Sequence, residues 1–139
     1  MGEIVVGHIE GDRYHIRIGD HEVTVDQPLE QGGTDEGPTP TELFVASLAS
    51  CAAFFAGRFL RRHLGRDQQF GVDCRYHMSY DAPSRVSSVH LDLVLPPDLP
   101  EAVRDGALRA AERCTVHNSI ERRPTIRITA GERAAAIPG

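Results

Sequence analysis

Residues 39–65, TPTELFVASLASCAAFFAGRFLRRHLG, carry the strongest helix signal in the chain. Thr39 can cap the helix, Pro40 suits its first turn, and Glu42 can reach back to the free amide of the cap. Gly65 suits the end, because a residue without a β-carbon readily takes the left-handed conformation that stops a helix. The pattern predicts one long helix that begins at Pro40 and ends just before Gly65.

This helix is apolar on almost every side. Spacings of three and four predict an inward face made of Leu43, Ser47, Leu48, Cys51, Phe55 and Phe59. The opposite side is also apolar, through Phe44, Val45, Ala49, Ala52 and Ala53. A helix that is apolar most of the way round is buried on most sides. We therefore expect a central helix that a sheet wraps or that a second subunit shares.

Antiparallel strands are expected on both sides of this helix, because apolar and polar residues alternate there. Three strands are predicted near residues 3–10, 12–18 and 21–26, and a hairpin over 69–80 and 85–95. A second helix is predicted from near Asp98 to Cys114, and a last short strand over Thr125–Thr129. This order of elements predicts an α+β fold. A single domain would cover residues 1–139, with a loosely held tail at 130–139.

The chain has 139 residues and a net charge of −5. This charge disfavours nucleic acid and anionic membranes, so neither partner is expected. The N-terminus lacks the basic and apolar segments of a signal peptide, and no later run is expected to span a membrane. A cytoplasmic location is therefore predicted. In a reducing compartment three cysteines do not indicate structural disulfides, and a pair that oxidises is typical of catalysis or sensing.

The three cysteines differ in what their surroundings predict. A cysteine reacts as its thiolate, so it needs a lowered pKa and access to solvent or substrate. Cys51, in the middle of an apolar helix face, would be inert unless a cation or hydrogen-bond donors lie against it. Cys74 lies on the apolar side of its strand and is expected to act as a small buried hydrophobe.

Cys114 and His117 form a C-x-x-H pair. A metal site needs three or four ligands, and no second pair at zinc spacing exists, so no metal is expected. Histidine can also act as the base of a nucleophilic thiol, which leaves a Cys–His hydrolase open. The more ordinary expectation is that His117 packs or caps the turn.

Two cysteine-containing stretches together resemble the OsmC/Ohr superfamily, the osmotically inducible protein C and organic hydroperoxide resistance proteins. The first runs Gly32-Gly33 … Gly37-Pro38-Thr39-Pro40-Thr41-Glu42-Leu43 … Ala49-Ser50-Cys51, and the second is Cys114-Thr115-Val116-His117-Asn118-Ser119. The likeness follows the order of elements along nearly the whole chain. It implies an OsmC-like intertwined homodimer in which antiparallel β-sheets wrap two long central helices, with active sites at the subunit interface.

The resemblance also implies a thiol peroxidase with a role in the oxidative stress response. Cys51 would attack the peroxide and become a sulfenic acid, and Cys114 would resolve it as a disulfide, as thiol oxidation chemistry allows. A dithiol reductant, lipoyl-type in the hydroperoxide branch, would then reopen that disulfide. No metal or organic cofactor would be required.

The resemblance further implies which residues would activate the nucleophile and surround the substrate. An arginine from the N-terminal strands would lower the pKa of Cys51; Arg13 is the best match and Arg17 the alternative. Glu42 would orient that arginine. Apolar surroundings would favour an organic hydroperoxide over hydrogen peroxide, and the side chains expected to supply them are Phe44, Leu48, Phe54 and Phe55.

A different class of function stays open. In the hydroperoxide branch an acidic residue directly follows the proline, and Thr41 holds that place here. This departure favours a non-catalytic protein on the same scaffold that binds a small molecule or a lipid. One equivalent of peroxide would separate the two, since an enzyme would lose two thiols per chain and keep Cys74.

Overall fold

The computed structural model describes residues 2–132, which fall into two compact units. One unit comprises the N-terminal residues up to Leu43 together with the segment from Ile126, and the other comprises Phe44–Thr125. The single domain expected over residues 1–139 stays a prediction. Most of the expected loose tail, residues 133–139, lies outside the described residues.

The first unit contains a three-stranded antiparallel sheet. Its strands are β1 (Ile4–Glu10), β2 (Arg13–Ile18) and β3 (His21–Val25), in the order β1-β2-β3. Gly11 and Gly19 turn the chain between them with φ angles of 55° and 60°, in the left-handed region that glycine tolerates best. The three strands predicted from the alternating pattern are confirmed. A short 3₁₀ helix, Leu29–Gln31, lies in the loop that follows.

Helix α1 runs from Pro40 to Leu64, as the sequence predicts. The Glu42 amide donates to the Thr39 hydroxyl at 3.0 Å, and the Thr39 amide donates to the Glu42 carboxylate at 2.9 Å. These reciprocal bonds are a capping box, which satisfies two amides that the helix itself cannot use. Gly65 follows the helix with φ at 72°, which confirms its predicted role as the stop.

The buried face of α1 differs from the predicted one by about one residue. The buried residues are Val45, Leu48, Ala52, Ala56 and Leu60. Of the predicted inward positions only Leu48 is fully buried, Cys51 is half-buried, and Ser47 is exposed. The predicted face followed the larger side chains, whereas the helix buries the face whose alanines let a neighbouring helix approach closely.

The second unit pairs an antiparallel hairpin with helices. Its strands are β4 (Gly71–Met78) and β5 (Val86–Val94), and its later helices are α2 (Glu101–Glu112) and α3 (Thr115–Glu121). The hairpin and α2 are confirmed, but α3 is not among the predicted elements. Ala56 and Leu60 of α1 pack with Ala107 of α2 to form a fully buried cluster. The unit is thus an α+β arrangement, as predicted.

The last predicted strand, Thr125–Thr129, is wrong. The segment is extended but forms no strand, and none of the five strands in residues 2–132 pairs with it. Ile126 and Ile128 are 78% and 91% exposed. Alternating apolar residues indicate a strand only where a neighbouring strand receives their backbone hydrogen bonds, and here the structure provides none.

Helix α1 also corrects an expectation about membranes. With 25 residues and a mean hydropathy of 1.8, it is long and apolar enough to cross one by length and composition alone. By this test of length and composition, the expectation that no run of the chain approaches a membrane span is wrong. The core helix of a globular domain passes the same test, and α1 packs its buried face on α2 through Ala56, Leu60 and Ala107.

Gly106 of α2 lies against the side chain of Phe59 on α1. A β-carbon at this position would overlap the ring of Phe59, which stacks on His63 with centroids 4.0 Å apart. Glycine inside a helix costs about 1 kcal/mol relative to alanine. The absence of a side chain at Gly106 is therefore explained by packing and not by helix propensity.

We predict that Gly106→Ala destabilises the protein. Overpacking costs roughly 1–3 kcal/mol, which exceeds the roughly 1 kcal/mol gained in helix propensity. Urea unfolding should show a net loss on the order of 1 kcal/mol in the free energy of unfolding. Adding Phe59→Leu should recover part of that loss by making room. A single variant as stable as the parent would show that the Phe59 ring yields without cost.

Candidate functional site: the Cys51 and Cys114 pair

Cys51 and Cys114 are presented by different helices of the second unit. Cys51 lies on α1 and is half-buried, next to the buried Ala52. Cys114 lies between α2 and α3 and is completely buried. Its backbone is extended, with φ at −70° and ψ at 153°, so the helical conformation of α2 does not continue through it. Cys114 is instead the N-terminal capping residue of α3.

The Cys114 sulfur takes the place of the usual capping oxygen. It accepts a hydrogen bond from the His117 amide at 3.3 Å, three residues along. The first amides of a helix have no partner within the helix and must find one outside it. This bond fixes the sulfur at the start of α3, which is why a cysteine and not an apolar residue suits the position.

The two cysteines are neighbours in the fold. The Cys51 side chain is near enough to contribute to the raised pKa of the Cys114 thiol, and all three cysteines of the chain are free. The structure therefore brings together the two cysteines that the resemblance pairs, although they are far apart in the sequence. Their roles as nucleophile and resolving thiol stay predictions.

Burial raises the pKa of the Cys114 thiol above its ordinary value. The His117 and Val116 amides act in the opposite direction, because they stabilise the thiolate, and the neighbouring Cys51 adds to the rise. The net effect is upward, so Cys114 stays a neutral thiol near pH 7. A neutral buried thiol suits a group that reacts second, after its neighbour has been oxidised.

His117 is directed at oxygens and not at the Cys114 sulfur. Its Nδ1 lies 3.0 Å from the Glu112 carbonyl oxygen, and its Nε2 lies 3.3 Å from the Glu121 carboxylate. Both partners are oxygens, and neither ring nitrogen is directed at the Cys114 sulfur. This arrangement does not present a free imidazole nitrogen as a base to Cys114 and gives no support to a Cys–His hydrolase.

An apolar cavity of about 270 Å³ lies in the second unit. Its apolar lining is Leu48, Ala52, Val72, Val89, Leu91, Leu93, Leu108 and Ala111, and its polar lining is Glu112 and His117. Cys51 and Cys114 do not line it, although Leu48 and Ala52 are near Cys51 in the sequence and Ala111 and His117 are near Cys114. The cavity can take an uncharged apolar group.

The side chains predicted to bind substrate are placed differently from one another. Leu48 lines the cavity. Phe44 and Phe54 are 45% and 55% exposed, and Phe54 packs edge-on against Phe55 at 5.3 Å. The strand residues of the lining, such as Val72 and Leu91, were missed, because alternation identifies the inward face of a strand but not a gap behind it.

Arg13 and Glu42, the other predicted site residues, have separate partners in the first unit. Arg13 forms ion pairs with Glu10, at 3.0 Å, and with Glu36. Glu42 is engaged in the capping box with Thr39, and no contact between it and Arg13 is found in residues 2–132. The alternative, Arg17, lies opposite Glu22 on β3. Glu36 is a partner that the sequence analysis missed.

Two further features complete the inventory of reactive groups. Cys74 is half-buried on β4, opposite Leu91. Within residues 2–132, no group of three or more histidine, cysteine, aspartate or glutamate side chains lies close enough to hold a metal ion. The neighbouring thiols of Cys51 and Cys114 are therefore the chemical feature on which a function can be argued.

Two free cysteines that the fold brings near each other, on an α+β framework, make a candidate dithiol site. The model of the family described as OsmC-like protein matches residues 33–129, and this chain belongs to that family, within the OsmC/Ohr superfamily. The expected superfamily is thereby confirmed. No curated protein matches the chain.

Solved structures share the fold. A protein from Psychrobacter arcticus, provisionally described as an osmotic stress induced and detoxification response protein, is 26% identical with a TM-score of 0.76, over 86% of this chain and 88% of that one. An OsmC-like protein from Mycoplasma pneumoniae is 14% identical, with a TM-score of 0.70 over 87% of each chain. The organic hydroperoxide resistance protein OhrB of Bacillus subtilis is 18% identical, with a TM-score of 0.60 over 88% and 92%.

We predict that Cys114 in the folded protein resists alkylation. Because burial raises its pKa, its reaction with iodoacetamide should begin at a higher pH than that of an unfolded reference peptide. Peptide mass spectrometry after timed alkylation between pH 6 and pH 10 measures this. The difference should vanish in urea. Rapid labelling of Cys114 at neutral pH in the folded chain would contradict the prediction.

Proposed function

We propose that this protein is a thiol peroxidase that reduces organic hydroperoxides and acts in the oxidative stress response. Family membership supports a redox or stress-related role, as do the descriptions of structural neighbours as hydroperoxide resistance and detoxification proteins. The observation that carries the proposal is the proximity of Cys51 to Cys114, which is close enough for Cys51 to raise the pKa of the Cys114 thiol. A disulfide requires two cysteines whose α-carbons lie within about 7 Å, so such a pair of neighbours is what the second step of the reaction needs.

The assignment of roles follows from burial. Cys51 is half-buried and accessible to a small substrate, whereas Cys114 is fully buried with a raised pKa. Cys51 is therefore the peroxidatic cysteine and Cys114 the resolving one. Arg13 would favour the Cys51 thiolate, as the resemblance implies, because a nearby positive charge stabilises the charged form of a thiol.

The reaction balances in two steps. The Cys51 thiolate attacks the outer oxygen of the hydroperoxide, the O–O bond breaks, and the alkoxide takes a proton to leave as an alcohol. Cys51 is then a sulfenic acid. The Cys114 thiol attacks that sulfur, the S–O bond breaks, and a disulfide and water form. An external dithiol of the lipoyl type would reduce the disulfide and restore both thiols.

The apolar cavity suits the organic part of such a substrate. Most of its lining is aliphatic, and its volume of about 270 Å³ admits a short alkyl or small aryl group. Its polar groups, Glu112 and His117, lie where α2 ends and α3 begins. Hydrogen peroxide would gain nothing from these apolar walls, whereas an organic hydroperoxide would gain from burying its hydrocarbon part.

We further propose that the protein is a cytoplasmic homodimer. Large apolar side chains remain exposed in the single chain, notably Phe44, Phe54, Ile126 and Ile128. Large apolar side chains left exposed in this way are typical of surfaces that another subunit covers. The intertwined arrangement implied by the resemblance would cover part of α1 in this way.

We predict that reduction of cumene hydroperoxide with dihydrolipoamide depends on both paired cysteines. Cys51→Ser should reduce turnover to the uncatalysed background, because it removes the nucleophile. Cys114→Ser should oxidise once and stop at a sulfenic acid, seen in the intact mass as one added oxygen and trapped by dimedone. Cys74→Ser is the matched control and should turn over normally. Turnover unaffected by Cys51→Ser would overturn the assignment.

A second candidate function is the binding of an uncharged apolar molecule without turnover, and the cavity itself favours it. We predict that 1-decanol raises the melting temperature if the cavity binds alkyl chains, because a ligand of the folded state stabilises it. Ala111→Phe should fill the cavity and abolish the shift. Such binding together with no loss of thiols after one equivalent of peroxide would favour the binding protein over the enzyme.

A further inference from the structure

We propose that Glu36, and not Glu42, is the carboxylate that positions Arg13, and that the buried Asp26 holds the loop that carries Glu36. This inference rests on the proposed function, because there Arg13 is the group that favours the thiolate of Cys51. It adds a positioning residue that lies in the loop between β3 and α1. Arg13, Asp26 and Glu36 all belong to the first unit.

Arg13 is held at both ends of its guanidinium group. One terminal nitrogen donates to Glu36 and the other donates to Glu10 at 3.0 Å. The Arg13 side chain is only 23% exposed, against 52% for Glu36 and 81% for Glu10. A planar guanidinium bound at two nitrogens keeps one orientation, whereas a single contact would let the long side chain turn.

The two carboxylates are supported differently. Glu10 precedes Arg13 by three residues, at the end of β1, and it is almost fully exposed. Glu36 comes from a separate loop, so its position depends on how that loop is fastened to the sheet. An exposed ion pair alone contributes little, typically below about 1 kcal/mol, because solvent screens it and the side chains lose freedom. The fastening of the loop therefore decides whether Glu36 can fix Arg13.

Asp26 provides this fastening. Its side chain is 1% exposed and accepts hydrogen bonds from the Gln27 amide at 2.7 Å and the Thr34 hydroxyl at 2.7 Å. It also accepts from the Thr34 amide at 3.3 Å and, decisively, from the Glu36 amide at 3.1 Å. The backbone of Glu36 is thus bound directly to a buried carboxylate at the end of β3.

The same carboxylate remains charged at neutral pH. Burial acts to raise the pKa of Asp26, but the hydrogen bonds from Thr34 and Gln27 and the charge of Arg13 bring it below the ordinary value. A lowered carboxylate pKa means that the charged form is favoured in the fold, and that this support is lost only as the pH falls through the lowered pKa. Asp26 therefore holds the loop throughout the neutral range.

Two glycines allow the loop to lie directly on its own base. A β-carbon at Gly33 would overlap the Gln27 carbonyl, and one at Gly37 would overlap the Thr24 carbonyl. The Asp26 amide also donates to the Pro38 carbonyl at 3.1 Å. The loop is therefore closely packed against the end of β3, which is the condition for Glu36 to hold a fixed place.

Glu42 is committed elsewhere. Its carboxylate accepts the Thr39 amide at 2.9 Å and completes the cap of α1. Moving it to Arg13 would break the capping box, whose loss costs on the order of 1 kcal/mol. In the part of the chain that the structure describes, the ion pairs of Arg13 run to Glu10 and Glu36.

Removing Glu36 has two opposing effects on a thiol that Arg13 serves. It takes away a negative charge, which alone would strengthen the positive field of Arg13. It also frees the guanidinium to turn, which alone would weaken that field at the thiol. We expect orientation to dominate, because a displacement of about 1 Å in a reactive constellation can cost up to a hundredfold in rate.

The test measures alkylation of Cys51 by iodoacetamide as a function of pH, together with cumene hydroperoxide turnover. Glu36→Ala should slow both at pH 7 by roughly tenfold and move the alkylation midpoint to higher pH. Glu36→Gln keeps an acceptor and should recover part of the rate. Glu30→Ala removes an exposed charge from the same loop and is the matched control, expected to behave as the parent.

Each outcome of these measurements either supports or overturns the positioning role of Glu36. Faster alkylation with a lower midpoint in Glu36→Ala would show that its charge and not its position acts on Arg13, and would overturn the proposal. The proposal would also be overturned if Glu36→Ala had the same alkylation and turnover rates as Glu30→Ala. It would be overturned as well if Glu42→Ala slowed both reactions and Glu36→Ala did not. If the parent reduces no hydroperoxide while Glu36→Ala still raises the Cys51 midpoint, the proposed function fails and the positioning role stands.

Discussion

The close approach of α1 and α2 is the constraint on which the second unit depends. Ala56 and Ala107 are completely buried, and Gly106 has no side chain where the Phe59 ring lies. Larger residues on these faces would move the helices apart. Cys51 lies on one of these helices and Cys114 follows the other, so the packing of small residues elsewhere bears on where both cysteines lie.

Most of the local structure could be predicted, because its signals are local. The bounds of α1 follow from Thr39, Glu42 and Gly65, which act within a single turn of the helix. The buried face was displaced by a residue because the choice between faces is made by the neighbouring helix, which the sequence of α1 does not contain. The strand expected at Thr125–Thr129 failed for a related reason, since a strand is defined by its partner.

The candidate site shows the same division between local and distant causes. Helix α3 was missed because a sulfur at Cys114, and not a serine or aspartate oxygen, accepts the first free amide. Nothing in the spacing of Cys51 and Cys114 brings them together, and only the resemblance to a known family paired them. Glu36 was missed because its importance comes from Asp26, ten residues earlier and buried beneath the loop. The close glycines Gly33 and Gly37 were the available clue to that packing.

Cys74 has a consequence of its own. It belongs to β4 and is not part of the proposed Cys51–Cys114 pair, so closing the proposed bridge would leave an odd sulfur on each molecule. A half-buried thiol on a two-stranded hairpin is open to slow reaction in air. Samples kept without reductant would then accumulate covalently linked chains, and gel electrophoresis without reductant would overstate the size of the native assembly.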